Sequence, residues 1–254
     1  MSADYKNWMP KEMIYGTLAG TAVVGVVTAI VGLDSIIGKV LLLVTILCAF
    51  TVLWMYLMYK AFSYNGSRQL SRQIIEGVSS YVKIPDGGVC LDVGCGSGAL
   101  AIACAKKNPN AAFLGIDRWG KEYSSFSKEL CEKNALAEGV SNIVFKQGDA
   151  CNLEFADETF DAITSNYVYH NIPSKNRQEL LLETLRTLKK GGVFVIHDIM
   201  SKSKYGNMDA FIKQLKDMGY EEVKLIDTTS GMFMNKTEAT WMGLSGSKIL
   251  IGKK

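Results

Sequence analysis

Residues 89–98 read VCLDVGCGSG and are followed at once by the alanine-rich run ALAIACAKK over 99–107. The first five residues have β-type character, and the glycine cluster leads directly into a strong helix former, so the stretch predicts a strand, a tight turn and a helix N-terminus. Glycine lets the turn adopt conformations that a side chain would forbid and lets a ligand approach the main chain. Because the first N–H groups of a helix have no partners inside it, they offer donors to a polar or anionic ligand. This glycine pattern fits several kinds of nucleotide loop, so the rest of the chain must decide between them.

The first sixty residues differ in character from the rest. Positions 13–33 and 40–59 contain no charged residue, and a helix of either length spans about 30 Å, the thickness of the hydrocarbon core of a bilayer. A signal peptide would be shorter and would leave the second segment unexplained; two core helices of a soluble domain are the alternative interpretation. We therefore predict a two-helix transmembrane hairpin over 1–62 and a second domain over 63–254.

The residues that flank the two apolar segments predict an orientation. Lysines and arginines precede the first segment and follow the second, whereas the connecting loop contains Lys39 alone. By the positive-inside tendency, we expect an integral membrane protein whose termini and second domain are cytoplasmic. Aromatic residues fall near that same face, as in an interfacial belt: Trp8, Tyr15, Trp54, Tyr56 and Tyr59. Small residues at which two helices could approach recur along the first segment: Gly16, Gly20, Gly25 and Ala29. The sequence therefore leaves open whether the protein forms a homo-oligomer through the hairpin.

Composition narrows the classes of function. The formal net charge is +3 with two histidines, and this near-neutral balance argues against a nucleic-acid substrate held through its phosphates. The six cysteines show no Cys-x-x-Cys spacing. Buried thiols in a reducing compartment are therefore expected rather than disulfides or a zinc site, and no metal site is predicted.

From residue 63 onward the pattern alternates between strands and helices, which predicts an α/β fold with a doubly wound, mostly parallel sheet. The predicted helices cover 67–82, 99–107, 123–136, 175–188 and 209–218. The predicted strands cover 89–93, 112–116, 143–146, 160–165, 193–197, 222–227 and 248–251. The last two strands are joined by an irregular connection without an obvious helix, and we expect them to form an antiparallel pair at one edge.

Three successive strand ends carry polar chemistry. In a doubly wound sheet, ligands bind outside the carboxyl ends of the strands. The first end is the glycine turn with Asp92, and the second is Asp117, where a carboxylate can accept hydrogen bonds from ribose hydroxyls. The third is Asp149 beside Ala150, placed to meet the exocyclic amine of a base. Together they predict a nucleoside pocket, and the Gly-x-x-x-x-Gly-Lys-[Ser/Thr] loop of triphosphate sites is absent.

These segments resemble the successive motifs of class I S-adenosylmethionine-dependent methyltransferases. The matching segments are LDVGCGSG over 91–98, GID over 115–117, GDA over 148–150, FDAI over 160–163 and LKKGG over 188–192. The likeness runs in register from about residue 67 to the end, and it is nearest the small-molecule group that includes ubiquinone, menaquinone and sterol methyltransferases. It implies S-adenosylmethionine as the cofactor and a Rossmann-like, seven-strand sheet in the order 3-2-1-4-5-7-6 with an antiparallel last strand.

The same resemblance implies roles at matching positions. The glycine turn and its neighbours would lie along the methionine moiety; these residues are Asp92, Gly94, Cys95, Gly96 and Gly98. Asp117, followed by Arg118, would hold the ribose, and Asp149 with Ala150 would meet the adenine. Asn166, at the end of the fourth strand, would face the methionine part and the reacting methyl group.

The implied reaction is methyl transfer from a sulfonium to a nucleophile, in which the protein aligns donor and acceptor and excludes water. The segment SNYVYHN over 165–171 crosses the region where the family places its acceptor. His170 is the best candidate base, because imidazole ordinarily titrates near neutral pH; packing without chemistry is an equally open interpretation. Tyr167 and Tyr169 would wall the pocket or lend an aromatic face to the sulfonium; ordinary packing, the commoner role of tyrosine, is the alternative. Asp198, after His197 at the end of the fifth strand, would orient a substrate or cap a turn.

The sequence leaves three functions open. The (Asn/Asp/Ser)-Pro-Pro-(Tyr/Phe) signature of methyltransferases acting on amide or nucleobase nitrogen is missing, since SNYV stands at 165–168. The leading hypothesis is a membrane-anchored methyltransferase acting on a small-molecule or lipid-like acceptor at the cytoplasmic face. The alternatives are a membrane-anchored protein that binds the nucleoside cofactor without turnover and a nicotinamide oxidoreductase of similar fold. The apolar segments 200–208 and 228–242 would form a lid over an acceptor or pack at the sheet edge.

Overall fold

A computed structural model of the chain describes residues 2–120, 125–174 and 176–254. It divides into two compact units: Lys6–Arg72 forms one, and the residues up to Tyr5 join Gln73–Lys254 in the other. The predicted helix starts at Tyr123 and Lys175 lie outside the described residues.

The smaller unit consists mainly of two long apolar helices, α1 (Lys11–Val31) and α2 (Ile36–Phe62). By length and composition, both are able to cross a membrane. Gly32, with a φ of 73°, ends α1, and the Ser35 side chain accepts the N–H of Gly38 to start α2. The helices therefore begin and end at different residues from the charge-free segments. The absence of charge shows which residues a bilayer would accept, whereas capping residues determine where a helix begins and ends.

Contacts near both ends hold α1 against α2. The Asn7 side chain donates to the Tyr59 carbonyl at 2.8 Å, and the hydroxyls of Thr28 and Thr45 lie 3.2 Å apart near the loop. The two ends of the hairpin therefore lie on one side.

The small residues of α1 contribute less to this contact than expected. A Cβ built at Gly25 would lie 3.6 Å from the Thr45 methyl group. Gly16 and Gly20 meet no described atom within 4 Å, so the close helix approach expected there is not made inside the hairpin.

The larger unit is built around a seven-stranded sheet in the order β3-β2-β1-β4-β5-β7-β6, which confirms the predicted order. The strands are β1 (Val89–Val93), β2 (Ala112–Asp117), β3 (Ile143–Gln147), β4 (Phe160–Asn166), β5 (Leu188–Ile199), β6 (Glu221–Asp227) and β7 (Ser247–Lys253). Neighbouring strands from β3 to β5 pair in parallel, and β7 is antiparallel to both β5 and β6. The carboxyl ends of β1 to β5 consequently share one edge of the sheet.

The helices of this unit cover the connections between strands. They are α3 (Leu70–Ser79, which begins in the smaller unit), α4 (Ala99–Lys107), α5 (Lys128–Ala137), α6 (Arg177–Arg186), α7 (Lys202–Tyr205), α8 (Met208–Asp217) and α9 (Lys236–Trp241), with a 3₁₀ turn at Tyr169–Asn171. Side-chain caps start several of them: Ser127 for α5, Asn176 for α6, Asn207 for α8 and Asn235 for α9. Sheet and helices bury a common apolar core around Leu91, Ile163 and Phe194.

Two sequence predictions need correction. The helix predicted to reach Leu188 ends at Arg186, and β5 already begins at Leu188, which pairs with Phe160 before a register shift. Leu188 is fully buried, and the Lys189 ammonium pairs with the Asp161 carboxylate at 2.8 Å, so this lysine belongs to a strand and not to a helix end. The connection from β6 to β7, predicted to lack a helix, contains α9.

Candidate cofactor and acceptor site

The first three strand ends converge because β3, β2 and β1 are neighbours. The Gly94 N–H donates to the Ile116 carbonyl at 2.8 Å, and the Gly148 N–H donates to the Asp117 carbonyl at 3.0 Å. The glycine turn, Asp117 and the loop that carries Asp149 thus meet at one edge, as the sequence predicted.

Gly94 holds a backbone that another residue would strain. Its φ is 72°, and a Cβ built there would lie 2.3 Å from a methyl group of Val168. The loop after β4 therefore approaches the glycine turn so closely that only a hydrogen atom fits between them.

The Asp117 carboxylate fixes the glycine turn to the end of β2. Its Oδ2 accepts the Gly96 N–H at 2.8 Å, and its Oδ1 accepts the Trp119 N–H at 2.8 Å. The Trp119 indole N–H in turn donates to the Gly96 carbonyl at 2.9 Å. Each carboxylate oxygen keeps acceptor capacity after these bonds, so an already oriented Asp117 can still accept from a diol. Sequence reasoning did not find Trp119, which carries no motif.

Asp92 is a buried carboxyl with one unused oxygen. It is 2% exposed, and its Oδ1 accepts the Thr164 hydroxyl at 2.6 Å. Its Oδ2 has no hydrogen-bond partner within the described ranges. Burial raises the pKa of Asp92 to about 7, the Thr164 hydrogen bond offsets part of that rise, and nearby Asp117 adds to it. Such an orphaned carboxyl costs free energy unless a donor or cation reaches it.

The third strand end forms a closed turn. Asp149 Oδ1 accepts the Cys151 N–H at 2.8 Å, and Asp149 bridges to Asn152. Ala150 packs against the core. The Arg118 carbonyl accepts the Gln147 amide at 3.3 Å, which links the second and third strand ends.

The end of β4 carries Asn166 into a second polar network. Asn166 Oδ1 lies 2.8 Å from His197 Nδ1, and His197 Nε2 lies 3.1 Å from the Thr228 hydroxyl. His197 is fully buried, and burial lowers its pKa to about 3, so it is neutral at physiological pH. The Tyr167 ring lies 4.6 Å from the His197 ring, and its hydroxyl lies 2.8 Å from Ser247 Oγ. The hydroxyl of Tyr167 is therefore engaged with Ser247 while its ring packs against His197.

His170 and Asp198 form a close pair at the ends of β4 and β5. His170 Nδ1 lies 2.5 Å from Asp198 Oδ1. Asp198 is fully buried and also accepts the Tyr205 hydroxyl at 2.8 Å and the Ile199 N–H at 2.6 Å. Although burial acts to raise it, hydrogen bonds from His170 and Tyr205 hold the pKa of Asp198 below its ordinary value. Asp198 therefore contacts His170 rather than solvent.

The two apolar segments suspected of forming a lid bury some of their large side chains and expose others. Phe233, Met234 and Met242 are buried, whereas Met232 and Trp241 are partly exposed. The Phe233 ring lies 5.8 Å from His197 and would collide with a Cβ at Gly77. These contacts show that Phe233 packs within its own unit, whereas Met232 and Trp241 remain exposed. Among the described residues, no cluster of three metal-ligating side chains occurs.

Comparison with known proteins gives the family. Residues 84–243 match the family described as a methyltransferase domain, which covers more than half of the chain. Demethylmenaquinone methyltransferase from Lactobacillus johnsonii is 34% identical over 112 residues, covering 44% of this chain and 43% of that protein. Sterol 24-C-methyltransferase ERG6A from Gibberella zeae is 30% identical over 142 residues, covering 56% and 35%. The matches thus span about half or less of the length of these curated relatives.

Solved structures share the fold at low identity. Geranyl diphosphate methyltransferase, solved with its substrate and sinefungin, superposes with a TM-score of 0.57 at 13% identity, covering 77% of this chain and 82% of that one. The [4+2]-cyclase SpnF gives a TM-score of 0.56 at 19% identity, covering 76% and 85%. The sheet order is therefore that of Rossmann-like methyltransferases.

The chain belongs to the methyltransferase-domain family, and S-adenosylmethionine is its cofactor. The residues present fit this cofactor on two observations. The orphaned Asp92 Oδ2 suits the ammonium group of a methionine moiety. At Gly96 a Cβ would meet only the Phe126 ring, at 3.9 Å, so a ligand can approach the backbone at that point of the turn.

Proposed function

We propose that this protein is a membrane-anchored methyltransferase that transfers the methyl group of S-adenosylmethionine to a small-molecule or lipid-like acceptor at the cytoplasmic face. One observation carries the proposal: the unsatisfied carboxyl of Asp92 lies at the start of a glycine turn that Asp117 orients. A site without a cationic ligand would have little reason to keep such a group buried.

The proposed cofactor contacts combine this geometry with the family resemblance. Asp92 and the turn through Gly94, Cys95, Gly96 and Gly98 would hold the methionine moiety. Asp117 would accept the ribose hydroxyls with the oxygen lone pairs that Gly96 and Trp119 leave unused. Arg118, the residue after Asp117, would lie beside the ribose. Asp149 and Ala150 would contact the adenine, and Asn166 would face the reacting methyl group. When bound, the sulfonium supplies the electrophilic methyl carbon; the chain supplies orientation and exclusion of water.

Small-molecule relatives and the charge balance support a small acceptor. The similar proteins named for demethylmenaquinone and sterols act on apolar molecules, and the near-neutral charge does not favour nucleic acid. The ends of β4 and β5, where Tyr167 and His170 lie, are the proposed acceptor region.

The two apolar helices support a membrane anchor. Almost none of either helix is buried within the structure, unlike a core helix of a soluble protein, and large apolar side chains such as Val23, Ile30 and Phe50 are exposed. A bilayer would cover them. We propose that the anchor holds the site where an amphiphilic acceptor partitions, and that the exposed face of α1 around Gly16 and Gly20 is available to a second copy.

Turnover is the decisive test. The full-length protein in detergent would be incubated with methyl-labelled S-adenosylmethionine and a solvent extract of cell membranes. We expect labelled product together with S-adenosylhomocysteine. Tight cofactor binding with no labelled product would instead favour a protein that binds the cofactor without turnover. This outcome is included because SpnF shares the fold and is named a cyclase. Binding of NAD in place of S-adenosylmethionine would favour the oxidoreductase.

A further inference from the structure

His170 is held by a buried carboxylate through one ring nitrogen while the other stays unused. Nδ1 lies 2.5 Å from Asp198 Oδ1, and the described residues provide no partner for Nε2. The side chain is 13% exposed, whereas the Asp198 side chain is fully buried. An ionised carboxylate can only accept, so Nδ1 carries a hydrogen, and in the neutral imidazole Nε2 then presents its lone pair.

Several contacts keep Asp198 in place for this purpose. Its Oδ2 accepts the His170 backbone N–H at 3.1 Å and the Tyr205 hydroxyl at 2.8 Å. Arg177 and Lys204 donate to the His170 carbonyl at 3.3 and 3.5 Å. Backbone and side chain of His170 are thus both fixed, which a histidine that only fills space would not require.

We propose, building on the proposed methyltransferase function, that His170 is the general base of the reaction, that Asp198 is its positioning residue, and that the acceptor is a weakly acidic hydroxyl compound of phenol or enol type. Nε2 takes the acceptor proton while the ionising acceptor forms its new bond to the methyl carbon. The methyl–sulfur bond breaks with its electron pair on sulfur. The positive charge then rests on the imidazolium beside Asp198, and the proton leaves to solvent.

The acceptor class follows from the strength of imidazole as a base. A thiol, with an ordinary pKa of about 8.5, ionises with little help, whereas a phenol, with an ordinary pKa of about 10, stays protonated at pH 7 and gains more from a base that takes its proton. An alkene or another acceptor without an ionisable proton gives His170 nothing to remove before transfer.

Charged and titratable groups from several elements surround His170. Asp198 faces it from β5, and Tyr205 of α7 lies behind Asp198. Tyr167 lies 5.9 Å away between ring centroids, and burial raises its pKa. The two cations, Arg177 of α6 and Lys204 of α7, reach its carbonyl rather than its ring.

Buried His197 completes this set, and it is neutral.

The first test needs no acceptor. The chain contains two histidines, so ¹⁵N-histidine labelling of the full-length protein in detergent gives two imidazole spin systems, and His170→Gln identifies one of them. We expect Nδ1–H with an unprotonated Nε2 for His170 at pH 8, and loss of this preference in Asp198→Asn. Finding Nε2–H and a bare Nδ1 would overturn the proposal.

The second test uses methyl-labelled S-adenosylmethionine with a solvent extract of cell membranes as the acceptor pool. At pH 7, His170→Gln should lower the rate on the order of 10²–10⁴-fold, and the deficit should shrink towards pH 9.5 as the acceptor ionises unaided. Asp198→Asn should show a smaller loss with the same recovery. Lys216→Ala, an exposed change on α8 outside the candidate site, is the control and should retain the full rate.

Each outcome bears on a different claim. A full rate in His170→Gln at pH 7 would overturn the general base. A loss that persists unchanged at pH 9.5 would also overturn it, because a structural defect is not repaired by acceptor ionisation. No label transfer by the unaltered protein would contradict the methyltransferase function itself, while the tautomer measurement would still decide whether His170 is arranged as a base.

Discussion

We expect Asp92 to make cofactor binding depend on pH. Its pKa is raised to about 7 by burial, and a methionine ammonium binds the ionised form. Affinity for S-adenosylmethionine should therefore rise from pH 6 to pH 8 as the carboxyl ionises. Asp92→Asn should bind weakly and show little change over this range. Calorimetric titration at several pH values checks this, and an unaltered protein with pH-independent affinity would contradict the role of Asp92.

The same residue predicts a change in stability. Because the folded pKa is raised above the ordinary value of 3.8, ionisation costs stability as pH rises from about 4 towards 7, and the cost persists above it. Asp92→Asn removes this cost, so its Tm should equal or exceed that of the unaltered protein at pH 8, even though it binds cofactor less well. A lower Tm at pH 8 would show that the carboxyl has a partner.

Gly94 offers a test of close approach. Gly94→Ala combines backbone strain with a clash against Val168, whereas Gly139→Ala has a similar φ of 69° in open space. Gly139→Ala should lower the free energy of unfolding by about 1–2 kcal/mol. Gly94→Ala should lower it further and should also weaken cofactor binding. Denaturant unfolding compares the two, and equal losses would mean that Val168 yields without cost.

At the scale of elements, the N-terminal segment supports the glycine turn. The Asp4 backbone N–H donates to Asn134 Oδ1 at 2.7 Å. The Asn134 Nδ2 group donates to the Asp4 carbonyl and to the Ser97 carbonyl, at 3.0 Å each. Asn134→Ala should weaken S-adenosylmethionine binding and lower Tm, because it leaves the Ser97 carbonyl without this donor. Glu132→Ala, on the exposed side of α5, is the control. Equal cofactor affinity in both variants would contradict the role of Asn134 in stabilising the glycine turn.

Sequence reasoning reached the elements that repeat a local signal and missed those made by distant contacts. The glycine turn, Asp117 and the sheet order followed from strand ends and from the family resemblance. The pairing of His170 with Asp198 and the three hydrogen bonds of Asn134 join residues far apart in sequence, so no local pattern reveals them. The end of α6 was misplaced because Lys189-Lys190-Gly191 looks like a helix terminus, while the burial of Leu188 decides for a strand.

At the scale of the whole molecule, native cysteines can test the membrane topology. Cys151 is exposed on the methyltransferase unit, and Cys48 lies within α2. A membrane-impermeant thiol reagent should label Cys151 in inverted vesicles but not in intact cells, and should reach Cys48 in neither. Cys151→Ser identifies the labelled site. Labelling of Cys151 in intact cells would reverse the proposed orientation, and labelling of Cys48 in intact membranes would contradict the anchor.

The most direct test of the central claim is the affinity of the full-length protein for S-adenosylmethionine, measured by calorimetry on the unaltered chain, on Asp117→Ala and on Asp86→Ala, an exposed loop change. A lost hydrogen bond to a charged group costs about 1.5–3 kcal/mol, so Asp117→Ala should bind at least about tenfold more weakly while Asp86→Ala binds normally. Unchanged affinity in Asp117→Ala would contradict the site.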